Sequence, residues 1–275
     1  MATRMWRSNG PIISVEGRKG YFDISYGKQS ESQKLDVYLP EGNGPFPIII
    51  SIHGGGFIAC DKRQKDMIDP MLTGLERGYA IVAVNYRLAE ECLFPEPVKD
   101  IKRAIRFIKA NADQWGLNAE KMVLWGGSAG GYMSLMGCLF AQETLFDSED
   151  DPNLLISAEV EGGVIWYPVT DFTVDLDEEL RINNMIDSRI DPEVKDVHKE
   201  YEPAFPISDD AQYPYHNLEG SAMMKFLGHD NCLDKEIVAK ASPITYISEK
   251  MPPLLIQHGK RDQIVPVQQS VRLTY

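Results

Sequence analysis

The run Gly126-Gly127-Ser128-Ala129-Gly130 constrains the fold of this chain more than any other stretch. It fits Gly-x-Ser-x-Gly, a turn that passes sharply from a strand into a helix and lifts a serine hydroxyl at its apex. Alone the pentapeptide says little, because Gly and Ser are frequent in turns. Its flanks give it force. Lys121-Met122-Val123-Leu124-Trp125 is a short apolar run of the kind that forms a buried parallel strand. Tyr132 to Phe140 are small and apolar enough for a buried helix. Glycines flank the serine because a nucleophile at the apex of a strained turn leaves no room for neighbouring Cβ atoms. Ser128 therefore reads as a nucleophile rather than an ordinary turn residue.

The same alternation of strand and helix continues along the chain. Lys34-Leu35-Asp36-Val37-Tyr38-Leu39 has period two and reads as a half-exposed early strand ended by Pro40. Pro47 to Ile52 and Tyr79 to Tyr86 read as buried strands, with a loop and helix between them up to about Arg77. Pro97 opens an amphipathic helix in which Ile101, Ile105 and Ile108 share one face and Lys102, Arg103 and Lys109 face outward, stopping before Gly116. Further strands are expected near Val160 to Trp166 and at Pro253 to Gln257. This rhythm implies an α/β fold in a single domain spanning 1–275, with a mostly parallel sheet covered on both faces. Residues 171–241 interrupt it with acids, prolines and aromatics (Tyr201, Phe205, Tyr213, Tyr215) and read as a cap-like insertion over the C-terminal ends of the strands.

Bulk properties exclude several classes. A formal net charge of −13 over 275 residues argues against nucleic acid and anionic membranes as partners. The basic start, Met1 to Arg7, is followed by no apolar core of a signal peptide, and no run is long enough to cross a bilayer. The four cysteines (Cys60, Cys92, Cys138, Cys232) lack metal-ligand spacing, so no metal or cofactor is expected, and reduced thiols in a cytoplasmic protein are the simplest account.

Two further segments carry chemistry. His53-Gly54-Gly55-Gly56-Phe57 directly follows the strand ending at Ile52. Acyl transfer builds an oxyanion, and a glycine loop lets backbone N–H groups approach that oxygen closely. The opposing donor is the N–H of Ala129, the residue after the nucleophile. A phosphate-binding loop is the alternative, but its lysine and hydroxyl are missing. His53 is expected to pack beneath the loop and bond backbone rather than act as a base. Asp262, in the loop after the strand Pro253–Gln257, is the candidate acid that would orient an imidazole. Asp230 and Asp234 are weaker rivals because no strand precedes them.

In these motifs the chain resembles an α/β-hydrolase of the esterase/lipase group, near the hormone-sensitive-lipase-like carboxylesterases. The resemblance rests on His53-Gly54-Gly55-Gly56-Phe57, Asn85-Tyr86-Arg87-Leu88, Phe94-Pro95 before a helix, the serine turn with Gly131, and His258-Gly259-Lys260-Arg261-Asp262-Gln263-Ile264-Val265-Pro266. Ala241 to Tyr246 is similar to the acetyl and feruloyl esterase branch that acts on plant polysaccharide esters. The resemblance implies a small-molecule ester substrate, Ser128 as nucleophile, Asp262 as acid, and the N–H groups of Gly55, Gly56 and Ala129 as an oxyanion hole.

One part of that pattern is missing. The histidine of the triad is expected some tens of residues after the acid, yet His53, His198, His216, His229 and His258 all precede Asp262. The helix begun at Pro266 runs to Tyr275 without a stop signal, so the end reads as a truncation. It would leave an unpaired sheet edge through which copies could associate. A non-catalytic binding protein on the same scaffold and an amide-cleaving relative are the alternatives.

Overall fold

The computed structural model describes residues 11–176, 178–183 and 221–274. Among them seven strands form one sheet: β1 (Gly20–Ser25), β2 (Lys34–Tyr38), β3 (Phe46–Ile52), β4 (Ala80–Val84), β5 (Leu117–Gly127), β6 (Gly162–Trp166) and β7 (Leu254–Gln257). Their order is β1-β2-β4-β3-β5-β6-β7. The first two ladders, β1/β2 and β2/β4, are antiparallel, and every ladder from β4 through β7 is parallel.

The strand sequences account for this arrangement. The residues of β4 (Ala-Ile-Val-Ala-Val) and the last five of β3 (Ile-Ile-Ile-Ser-Ile) are all buried, as befits parallel strands covered on both faces. Helix α1 (Lys65–Leu72) lies on one face of the sheet. On the other lie α2 (Glu96–Trp115) and α3 (Ala129–Leu139). Helix α2 turns Val98, Ile101, Ala104, Ile105, Ile108 and Ala112 inward at helical spacing. It ends where Gly116, at φ 67°, returns its N–H to the carbonyls of Ala112 and Asp113. Helix α3 is buried from Ala129 to Cys138, so it is apolar all round rather than striped. Further along the chain lie three short helices, α4 (Ala222–Leu227), α5 (Lys235–Ala241) and α6 (Gln268–Val271).

Several sequence expectations are corrected. The period-two strand Lys34–Tyr38 is buried rather than half-exposed, because β1 and β4 flank it and its Asp36 is fully enclosed. Arg63 Nε donates to Asp36 Oδ2 at 2.6 Å, which makes that burial tolerable. Lys102 and Arg103 do not face outward. Both are buried beneath the segment after α3, where Lys102 Nζ lies 2.8 Å from Asp147 and Arg103 pairs with Asp150. Helical periodicity reports which residues share a face, but not whether an acidic loop will cover it. Strand β1 carried no strong signal, since Asp23 at φ 54° breaks its register with β2. The expected cap, 171–241, falls largely outside the described residues; its described ends join the core through Phe172, Leu176, Phe226 and Leu227.

A second enclosed pair ties the start of α2 to the strand end after β4. Asp100 is fully buried and takes Arg87 Nε at 2.9 Å, Arg87 Nη2 at 2.8 Å and Gln33 Nε2 at 2.7 Å. Removing one partner strands the other charge, which typically costs about 3–5 kcal/mol. Asp100→Ala is expected to lower unfolding stability by about that much in urea titrations; a loss under about 1 kcal/mol would contradict the assignment of Asp100 as the group that neutralises buried Arg87.

Candidate active site

Only Ser128 separates the last residue of β5 from the first of α3. Its backbone sits at φ 57°, ψ −125°, a conformation L-residues rarely adopt and one that costs about 1–3 kcal/mol. The surroundings hold it there. Ser128 N–H donates to the Trp166 carbonyl at 3.0 Å, and the Ser128 carbonyl accepts the Tyr132 N–H at 2.9 Å. The hydroxyl makes no capping bond to the helix and is partly exposed. The glycine at 130 is required by close approach: a Cβ there would lie 2.2 Å from the Ile52 carbonyl oxygen. The turn is thus pressed backbone to backbone against the end of β3.

That contact brings the glycine loop to the serine. A Cβ on Gly54 would lie 3.5 Å from Ser128 Cβ. His53 is buried, stacks on Tyr86 at 4.6 Å between ring centroids, and donates from Nδ1 to the Gly54 carbonyl at 2.8 Å. Burial holds its pKa below the ordinary histidine value, so the ring is neutral at pH 7. It is the packed, backbone-bonded residue expected from the sequence. The Gly55 carbonyl accepts the N–H groups of Ile58 and Ala59, each at 3.1 Å, with Gly55 at φ 102°. In a trans peptide the N–H points opposite the carbonyl before it. The N–H of Gly55 therefore points away from His53, and that of Gly56 away from the turn at 58–59. Among the described residues no protein acceptor takes the N–H of Gly55, Gly56 or Ala129.

Asp262 lies on the opposite side of the turn, in the loop after β7. Its Oδ1 accepts the N–H groups of Ile264 at 2.8 Å and Val265 at 2.9 Å, and its Oδ2 is 3.5 Å from His258 Nε2. Burial pushes the carboxyl pKa up, but His258 and the two amides outweigh it and hold the group below the ordinary aspartate range. His258 has both nitrogens engaged: Nε2 donates to the Val265 carbonyl at 2.8 Å and Nδ1 accepts from Ser270 Oγ at 2.7 Å. It is a brace for the acid's loop. A single peptide spans the gap from serine to acid strand. The carbonyl of Trp166 takes the Ser128 N–H, and the N–H of Tyr167 donates to the Gln257 carbonyl at 2.9 Å. Trp166, Tyr167, Gln257, His258 and Gly259 line a cavity of about 340 Å³ here. A larger one, about 990 Å³, lies at the other end of the strands, beside Met122, Val160 and Met251, remote from Ser128.

The rival residues are accounted for. Asp234 caps α5 by accepting the N–H groups of Glu236 and Ile237, and Asp230 is exposed beside an exposed His229. His198 and His216 lie outside the described residues. None of the four cysteines is joined in a disulfide among the described residues. Sequence reading passed over Tyr167 and the bracing role of His258. The His-Gly-x-x-Asp spacing was the available signal for His258, whereas Tyr167 is placed only by the φ of 35° it adopts after β6.

Comparison with known proteins now decides the family. The BD-FAE family model matches residues 35–275. The chain belongs to the BD-FAE family. It is 27% identical over 271 residues to the probable carboxylic ester hydrolase LipM of Mycobacterium tuberculosis, covering 96% of this chain and 54% of LipM. Among solved structures it is similar to a truncated form of a carbohydrate esterase from gut microbiota, with a TM-score of 0.72 and 20% identity over 96% of this chain and 85% of that one. It is similar also to an acetyl ester-xyloside bifunctional hydrolase from Caldicellulosiruptor lactoaceticus, with a TM-score of 0.62 and 20% identity over 99% and 82% of the two chains. The fold is that of the α/β-hydrolase esterases. The chain spans about half the length of the curated relatives it matches. No described helix is long and apolar enough to cross a membrane.

The lowered pKa of Asp262 makes a stability prediction. A carboxyl depressed below its unfolded value near 3.8 stabilises the fold at pH above that value, and the contribution is lost as pH falls toward the folded pKa. Asp262→Asn is expected to be less stable than the parent at pH 7, with the gap between urea midpoints closing below about pH 4. An equal gap at pH 7 and pH 3 would contradict it.

Proposed function

We propose that this chain is the catalytic region of a serine carboxylesterase that cleaves small carboxylic esters through an acyl-enzyme on Ser128. One observation carries the reading. A serine held in a strained turn stands beside three backbone N–H groups, of Gly55, Gly56 and Ala129, with no protein acceptor among the described residues. These donors match the charge that develops on a carbonyl oxygen under attack, and one such donor is worth about 3–4 kcal/mol of barrier. Ser128 Oγ attacks the ester carbonyl and loses its proton to a base. The C–O bond to the alcohol breaks, the alcohol leaves with that proton, and water then releases the acid from the serine. Asp262, ionised and fixed by two amides, orients and stabilises the imidazolium that forms.

The substrates are read as acetyl or feruloyl esters on sugars. The names of the two structural neighbours, a carbohydrate esterase and an acetyl ester-xyloside hydrolase, support a carbohydrate ester and, in the second case, an acetyl one. A cytoplasmic setting is read from the four cysteines scattered in the sequence without paired spacing.

The base is the missing member. None of the three described histidines is bonded to Ser128, and all five in the sequence precede Asp262. Loss of the base from a serine triad lowers kcat by about 10⁶. Turnover of p-nitrophenyl acetate is expected to be weak. It should rise by at least about 10³-fold when the histidine-bearing segment of a family relative is joined after Tyr275, and Ser128→Ala should abolish the rise. A chimera that stays inert, or whose turnover survives Ser128→Ala, would overturn the proposal.

A further inference from the structure

The strand order separates the two halves of any ester that reaches Ser128. The glycine loop follows β3 on one side of β5, while Asp262 follows β7 on the other side, beyond β6. A departing alcohol must collect its proton from the base, which Asp262 as the orienting acid would hold on its own side. The acyl half is then directed to the loop side, toward Gly56.

That side is closed at short range. A Cβ placed on Gly56 would lie 3.3 Å from Ala222 Cβ, so the first residue of α4 stands against the loop. Helix α4 is anchored at both ends. The buried Ser221 hydroxyl accepts the Met224 N–H at 3.1 Å, and the Phe226 carbonyl accepts the Phe94 N–H at 2.8 Å. Behind Ala222 the space is filled by aromatic rings. Phe226 stacks on Phe57 at 4.0 Å between centroids and meets Tyr132 edge-on at 5.5 Å, all three being buried.

We infer that Ala222, backed by the Phe57–Phe226–Tyr132 cluster, is the residue that limits acyl length at Ser128, so that acetyl-sized acyl groups are accepted and long or hydroxycinnamoyl ones are rejected. This inference rests on the esterase reading of Ser128. A wall of one methyl against a glycine backbone, with a rigid aromatic cluster behind it, cannot recede to admit a longer chain. Discrimination of one methylene in such a pocket is about tenfold or more.

The test uses p-nitrophenyl methylphosphonate and p-nitrophenyl hexylphosphonate, which set a short or a long alkyl group in the acyl position. Modification of Ser128 is followed by peptide mass spectrometry. Both probes are applied to the chimera that carries the histidine-bearing segment after Tyr275, which should react at least about ten times faster with the methyl probe. Ala222→Gly should narrow that ratio several-fold, and Ala222→Leu should widen it by about tenfold. Should Ala222→Leu fail to fold, Ala222→Gly alone decides, since it only removes a methyl. A ratio unchanged in the folded variants overturns the role of Ala222 while leaving the serine reading intact. Failure of both probes to modify Ser128 in the chimera that carries the joined histidine-bearing segment overturns the esterase reading itself, and the inference with it.

Discussion

The carbonyl oxygen of Ile52 meets the backbone of the serine turn so closely that neither Gly126 nor Gly130 could carry a side chain: a Cβ would lie 2.7 Å from it in the first case and 2.2 Å in the second. Everything else about the site follows from this contact between the end of β3 and the β5–α3 junction. It sets the glycine loop, which leaves β3 at the next residue, against Ser128. It also leaves Ser128 in a backbone conformation that its own side chain disfavours. The strain is held by neighbours on both sides: the Trp166 carbonyl, the Tyr132 amide and the apolar body of α3. A serine so mounted is presented at the strand ends rather than engaged in capping its helix.

The site's polar groups divide by environment. His53 is kept neutral by burial and serves packing, whereas Asp262 is kept ionised by two amides and a neighbouring imidazole in spite of burial. The same logic appears away from the site, where Asp36 and Asp100 are enclosed yet matched by Arg63 and Arg87. A chain with a net charge of −13 thus spends several of its cations on buried carboxylates. These pairs tie the loop after β3 to β2 and the chain after β4 to α2.

How far this was legible in the sequence depends on the physics of each element. Strands β3, β4, β5 and the helix α2 announce themselves because apolar runs and helical spacing are local signals. The sharp turn at Ser128 and the glycine loop beside it were legible because close backbone approach demands glycine and leaves a pattern. The burial of Lys102 and Arg103 was not, since it depends on Asp147 and Asp150 more than forty residues away in the chain. The edge strand β1, with its kink at Asp23, and the left-handed Tyr167 were missed for a similar reason: tertiary contacts, not local propensity, hold them. The role of Ala222 lay beyond sequence reading altogether, because nothing in its own segment points to Gly56.

In the proposed reaction the N–H groups of Gly55, Gly56 and Ala129 converge on the oxygen of a group attached to Ser128. A crystal structure of the protein phosphonylated by p-nitrophenyl methylphosphonate tests it most directly. The account predicts an adduct on Ser128 Oγ with its phosphoryl oxygen within about 2.7–3.1 Å of those donors. An adduct whose oxygen turns to solvent, or one formed on another residue, would contradict it.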